Sequence, residues 1–253
     1  MSFLVNPYIL AEASGSAGAP APPITTDMLV YFNPDYGVFS GSSASTNGDN
    51  ISKLNDQSGN ANYLEQLTGA SQPVYDVGTI GTGLGSVKIT SSDHLDISSA
   101  LLFQQPDANF TFYLVYKKGS TGISHYVVGQ TAPLVGNSRI WLRNVYYHTY
   151  DTSNRNAFVT KTDNTNTTIV AITINTTGSA SEPRYKVYEN GSLLGTTTRD
   201  FIGDFRFNNF FGVQWSSISG NVYCGNMLFY DGVHTSAQVQ TMHNWLNTKY
   251  SVY

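Results

Sequence analysis

Residues 110–117 read FTFYLVYK, and the reading of these eight residues decides the fold. In an extended chain successive side chains point to opposite faces. Phe110, Phe112, Leu114 and Tyr116 therefore share one face, while Thr111, Tyr113, Val115 and Lys117 share the other. The first face is apolar enough to meet a second sheet, and the mixed second face is expected to meet solvent. Such a strand needs a partner layer.

The surrounding chain supplies one. After Asp27 the sequence breaks into short runs rich in β-branched and aromatic residues, each bounded by Gly, Asn, Asp, Ser or Pro. The spacing predicts strands at MLVYF (28–32), SVKIT (86–90), HYVVG (125–129), RIWLR (139–143), TTIVAITIN (167–175), RYKVYE (184–189), SLLGTTT (192–198), NNFFGVQW (208–215) and NVYCGNMLFY (221–230). Asn190-Gly191, between two of these runs, is the strongest turn signal, because a type I′ turn needs two residues that tolerate positive φ.

A single helix is expected at the C-terminus. Thr235 followed three residues later by Gln238 forms a capping box, and Val239, Met242 and Leu246 recur at helical spacing with Trp245 beside them. Lys249 falls in the last turn, where a cation suits the helix dipole. Many strands followed by one helix indicate an all-β antiparallel two-sheet sandwich with the C-terminal α-helix packed on it.

Composition excludes several functions. Only 12% of the 253 residues are charged and the net charge is -4, with no basic cluster to bind phosphates, so no nucleic acid partner is expected. No apolar run reaches the roughly 18 to 20 residues that span a bilayer, and no membrane partner is expected. Cys224 is the sole cysteine and reads as a small buried apolar side chain.

Catalytic signatures are missing from the sequence. It has no G-x-S-x-G elbow, no H-E-x-x-H pair and no phosphate-binding G-x-x-x-x-G-K-[ST] loop, and the glycines of GTIGTGLG (78–85) read as a turn before a strand. The acidic pairs nearest in sequence, Asp93 with Asp96 and Asp200 with Asp204, read as strand-edge turn residues instead of the facing carboxylates of a glycosidase. His94, His125, His148, His234 and His243 have no metal-ligand spacing, and the last two are placed at or near the helix ends. DQSGN (56–60) and SSDHLD (91–96) contain oxygen ligands suited to calcium but lack EF-hand spacing. No metal or cofactor is assigned.

The richest surface candidate is RIWLRNVYYHTYDTSNR (139–155). Aromatic faces stack on sugar rings while amides and carboxylates bond hydroxyls, so Tyr147, His148, Tyr150, Asp151 and Asn154 form a candidate glycan-binding set. The alternation equally suits a core, and Trp141 is assigned there.

Three stretches together resemble the concanavalin A-like, laminin-G-like jelly-roll domains of bacteriophage virion proteins and secreted carbohydrate-recognition proteins. They are ISKLNDQSGNANYLEQ followed by QPVY, SVKITSSDHLDI, and NMLFYDGVHTSAQVQTMHNWLNTKY; the resemblance covers residues 28–253. Where that family commonly has tryptophan, this chain has Tyr31-Phe32 and Leu54-Asn55. The resemblance implies a jelly roll that is more often a binding module than a hydrolase, with Asp56, Ser58 and Gly59 structural.

Residues 1–27 read as an extended N-terminal docking arm and linker, rich in Ala, Gly and Pro. MSFLVNPYIL carries no Lys or Arg and is interrupted by Asn6 and Pro7, which suits a secretion signal poorly. Phe3, Leu4, Val5, Tyr8, Ile9 and Leu10 are instead expected to dock on a capsid or tail protein. The resulting expectation is a non-enzymatic virion protein, assembled as a homo-oligomer, whose jelly roll reaches host-surface glycan. A secreted carbohydrate-binding protein and a polysaccharide-degrading enzyme are the alternatives.

Overall fold

A computed structural model describes residues 18–90, 93–130, 138–177, 182–212 and 220–253. In chain order the strands are β1 Met28–Phe32, β2 Val38–Ser40, β3 Ser43–Ala44, β4 Lys53–Asn55, β5 Tyr63–Glu65, β6 Val74–Val77, β7 Gly85–Thr90, β8 Leu95–Phe103, β9 Phe110–Lys118, β10 His125–Gly129, β11 Arg139–Leu142, β12 Tyr146–Tyr150, β13 Asn156–Thr160, β14 Thr168–Ile174, β15 Tyr185–Glu189, β16 Ser192–Thr197, β17 Phe205–Phe210 and β18 Asn221–Asp231. The helix α1, Ser236–Tyr250, follows. One sheet runs β16-β15-β14-β9-β18-β7-β6, with β1 also paired to β18; the other runs β13-β12-β11-β10-β17-β8-β5-β4-β2-β3. Every recorded strand pair is antiparallel.

The two sheets close on the face predicted for β9. Phe110, Phe112, Leu114 and Tyr116 lie in the inter-sheet core with Phe103, Phe205, Phe207 and Phe229. Rings there meet edge-on or offset, as Phe110 does with Phe103 (centroids 4.6 Å apart) and Phe205 (5.1 Å), the arrangements that aromatic quadrupoles favour. Cys224 sits in this core, and burial pushes its thiol well above the usual range.

The opposite face of β9 does not meet solvent. Tyr113 and Val115 join Ile169, Ala171, Leu228 and Tyr230 in an apolar floor on which Val239, Met242, Leu246 and Tyr250 of α1 pack. The helix is the third layer, and it makes β9 a strand buried on both sides. Its start is the expected capping box: Gln238 N–H donates to Thr235 Oγ1 at 3.3 Å, and Thr235 N–H donates to Gln238 Oε1 at 2.9 Å. Lys249 does more than oppose a dipole, since its ammonium pairs with Asp35 Oδ2 at 2.6 Å and donates to Asn33 and Asn226.

Two local expectations change. His243 lies in mid-helix, fully buried, and its Nδ1 accepts the Gly191 N–H at 2.7 Å, so the helix holds the hairpin turn. That turn has Asn190 at φ 48° and Gly191 at φ 81°, the positive values a type I′ turn requires. The strand expected at 208–215 is β17, which starts at Phe205; Phe211 (φ 51°) and Gly212 (φ 121°) end it, and residues 213–215 lie outside the described residues. The docking residues Phe3, Leu4, Val5, Tyr8, Ile9 and Leu10 also lie outside them.

The Asp56-Ser58-Gly59 turn is structural in its geometry. Asp56 Oδ1 accepts the backbone N–H groups of Tyr31 (2.8 Å) and Ser58 (2.9 Å), and Oδ2 accepts the Ser58 hydroxyl (2.6 Å). Its oxygens tie β1 to the β4–β5 turn. Gly59 takes φ 91°, a conformation that a Cβ penalises.

Asp56→Ala leaves those donors without a carboxylate and is expected to cost about 1–3 kcal/mol in urea denaturation; a change under a few tenths would refute this role. Burial also pushes the His243 imidazole down to about 4. The unfolded state then binds the proton more readily between about pH 6.5 and 4, so stability falls as pH drops through that window. His243→Gln should show a smaller loss of stability between pH 7 and 4.5 than the parent protein, and an equal loss would contradict the assignment.

Candidate functional site

The candidate site is built by four neighbouring strands. Tyr126 on β10 is paired with Trp141 on β11, Trp141 with His148 on β12, and His148 with Phe158 on β13. These four aromatic side chains form one cross-strand row. Adjacent strands lie about 4.8 Å apart, so the row spans about 14 Å. Its rings touch in sequence: Tyr126 stacks on Trp141 at 4.5 Å, Trp141 lies parallel to His148 at 6.0 Å, and His148 meets Phe158 edge-on at 5.6 Å.

Two further rows border it. Tyr150 and Arg139 are cross-strand partners on one side, with the guanidinium 3.9 Å from the phenol centroid. On the other side the Arg143 guanidinium lies 4.3 Å from the Trp141 ring centroid and 6.0 Å from that of Tyr146. Tyr146 in turn meets Phe158 edge-on at 5.1 Å. Alternation along β12 and β13 shows which way this surface points. Tyr147, Thr149, Ala157 and Val159 are buried, whereas Tyr146, Tyr150 and Asn156 are half-buried and Phe158 is 51% exposed.

The expected set divides accordingly. Tyr150 belongs to the outer face, and His148 joins it as a ring wedged between neighbours, 6% exposed. Tyr147 does not: it is fully buried, and its hydroxyl meets Tyr116 Oη (2.8 Å) and donates to Glu189 Oε2 (2.5 Å). Asp151 is also buried, and its carboxylate accepts the N–H groups of Arg155, Ile202 and Gly203 at 2.8–2.9 Å. It shapes the β12–β13 turn from inside. Asn154 is exposed at φ 61° within that turn. Trp141, assigned to the core from sequence, is on the outer face.

One register explains both reversals. Trp141 pairs with His148 and Leu142 with Tyr147, so Trp141 and Tyr147 must point to opposite faces. Tyr126 and Phe158, outside the stretch first singled out, were detectable only through pairing across four strands.

Electrostatics sharpen the surface. Burial pushes the His148 imidazole down, and Arg143 and Arg139 push it further in the same direction. His148 is therefore neutral near pH 7, with Nε2 3.1 Å from Asn156 Oδ1. The charges acting on the Tyr126 phenol include the same two arginines, which oppose the upward push of burial.

The carboxylates considered for catalysis are engaged elsewhere. Asp93 Oδ2 accepts from Thr90 N–H (2.8 Å) and Thr90 Oγ1 (2.6 Å), capping the end of β7. Asp96 takes the Asn209 amide, Asp200 pairs with Arg184, and Asp204 Oδ1 accepts the Gln105 N–H at 2.8 Å. Asp56, the acid of the first candidate calcium loop, is turned onto local donors. Among the described residues no group of three or more His, Cys, Asp or Glu side chains is placed to hold a metal.

A concavity of about 300 Å³ lies beside α1 and is lined by Tyr31, Tyr36, Tyr75, Leu84, Trp245 and Lys249 among others. Its polar groups bond one another: Asp35 accepts the Gly85 N–H at 2.6 Å as well as the Lys249 ammonium. Burial and the Asp35 charge push the Tyr75 phenol up to about 12. With its charges paired internally, this concavity presents mainly apolar wall.

No known family profile matches the chain, and no curated protein matches it in sequence. Solved structures do share the fold. The botulinum neurotoxin serotype D ligand-binding domain in complex with N-acetylneuraminic acid superposes with a TM-score of 0.58 at 12% identity, covering 88% of this chain and 52% of that one. The binding domain of Paraclostridial Mosquitocidal Protein 1 gives 0.57 at 13% identity, over 88% and 53%, and the botulinum neurotoxin type G receptor-binding domain 0.53 at 12%, over 87% and 52%. The chain spans about half the length of these toxin domains. At such identities the likeness defines a shared two-sheet fold.

The opposed orientations of Trp141 and Tyr147 separate folding from surface effects. Tyr147→Ala empties a fully buried site and is expected to cost about 3–5 kcal/mol, whereas Trp141→Ala should cost less than half as much. Thermal unfolding of the two variants measures this, and the opposite order would show the register to be wrong.

Proposed function

We propose that this chain is a non-enzymatic glycan-recognition module of a virion, held on the particle by residues 1–27 and binding host-surface saccharide through the aromatic face of β10–β13. The observation that carries the binding part is the in-register row Tyr126, Trp141, His148 and Phe158. Phe158, 51% exposed at the β13 end of the row, offers its ring to the C–H face of a sugar, and a row repeated at strand spacing suits a short oligosaccharide. Receptor-binding toxin domains that share the fold support the same class of activity.

The docking part rests on composition. An apolar decapeptide without basic residues, followed by an Ala/Gly/Pro linker, suits attachment to a capsid or tail protein, and weak sugar contacts gain strength when many copies are displayed. The engagement of Asp93, Asp96, Asp200 and Asp204 with local donors favours binding over hydrolysis.

Two measurements test the two parts separately. On a glycan array, Trp141→Ala and Phe158→Ala should each lower binding at least tenfold while the protein stays folded by circular dichroism; unchanged binding would remove this face as the site. Deleting residues 2–19 should abolish incorporation into particles and leave array binding intact. Normal incorporation of the truncated chain would overturn the virion assignment and favour a secreted lectin.

A further inference from the structure

The proposed saccharide-binding face also has a sign. We infer that the saccharide it binds is anionic, with a carboxylate or sulfate group seated against the Arg143 guanidinium beside Trp141 and steered by Arg139. This rests on the proposed glycan-binding reading and specifies its substrate class.

Three observations carry the inference. First, residues 125–160 contain three arginines, Arg139, Arg143 and Arg155, against a single acid, Asp151, in a chain whose net charge is -4. The local sign is opposite to that of the whole. Second, the one acid is withdrawn: Asp151 is fully buried and its oxygens are occupied by backbone N–H groups of the β12–β13 turn and residues 202–203. Third, Arg143 is held by rings and not by a carboxylate. Its guanidinium lies over Trp141 and within reach of Tyr146, and none of the ion pairs among the described residues includes it.

A guanidinium stacked on an aromatic face keeps its edge N–H groups in the plane of the stack, where a planar anion is recognised through two parallel hydrogen bonds. Tyr126 and His148 are flanked by the same positive charges, and His148 is held neutral beside them. The surface thus offers the exposed Phe158 ring, the edges of the stacked rings and the Arg143 N–H donors, with the one carboxylate of residues 125–160 turned away. Neutral sugars present hydroxyls that both give and accept, and gain little from a donor-rich site; an acid sugar presents the missing acceptor.

The experiment uses the full chain and three polysaccharides: polygalacturonate for carboxylate, chondroitin sulfate for sulfate together with carboxylate, and dextran as a neutral control. Biolayer interferometry at low and at physiological salt gives the affinities. Binding to at least one anionic polymer should exceed binding to dextran tenfold or more. Arg143→Gln should remove most of that preference, and Arg143→Lys should restore little, because an ammonium keeps the charge and loses the fork. Arg199→Gln makes the same change of net charge at an exposed position outside the face and should have no effect.

Preference for polygalacturonate over chondroitin sulfate would assign the carboxylate, and the reverse the sulfate. Equal binding of dextran and the anionic polymers, unaffected by Arg143→Gln, would overturn the inference while leaving the glycan-binding reading intact. Equal losses in the Arg143 and Arg199 variants would overturn it as general charge attraction. No binding to any saccharide, here or on the array, would overturn both.

Discussion

Burial of β9 on both faces is the constraint on which the rest of the structure depends. One face, Phe110 to Tyr116, requires an opposing sheet; the other, Tyr113 and Val115, requires the helix. A central strand with two apolar faces cannot be an edge, so β14 and β18 flank it along most of its length. The order of the first sheet follows from that. The second sheet then has one face committed to the shared core, and its other face over β10–β13 is left to carry the aromatic row.

Polar contacts fix how the layers join. The Asp56 carboxylate links β1 to the β4–β5 turn, Asn226 accepts the Tyr250 hydroxyl (2.8 Å) and donates to the Tyr31 hydroxyl (3.3 Å), and His243 holds the Gly191 turn. Elsewhere Lys118 pairs with Asp163, while burial and the neighbouring Lys118 charge push the Lys161 ammonium down to about 8. Tyr31, Lys118, Asn226 and Tyr250 are buried and hydrogen-bonded, the condition under which polar atoms are tolerated in an interior and specify a single arrangement.

Much of this was legible in the sequence, for reasons that differ by element. Asn190-Gly191 declared its turn because few residue pairs tolerate two positive φ values, and Thr235 with Gln238 declared a helix start through a local bond pattern. The strands β2 to β5 were harder, since two or three residues do not establish a period. The helix-covered face of β9 was misread because Thr111, Tyr113 and Lys117 look amphipathic, yet the Tyr113 hydroxyl finds His234 Nδ1 at 2.7 Å and stays buried. The site was legible in composition and not in orientation: its stretch was recognisable as aromatic and polar, but the faces of Trp141 and Tyr147 depend on a register that only the β11–β12 pairing defines.

The proposed function turns on one surface, and residue-resolved contact with a saccharide tests it most directly. In a titration of isotope-labelled protein with a short acidic oligosaccharide, followed by amide and side-chain chemical shifts, the largest changes are predicted at Tyr126, Trp141, Arg143, His148 and Phe158. Changes centred instead on Trp245, Tyr36 and Tyr75 in the concavity beside α1, with the β10–β13 face silent, would contradict it.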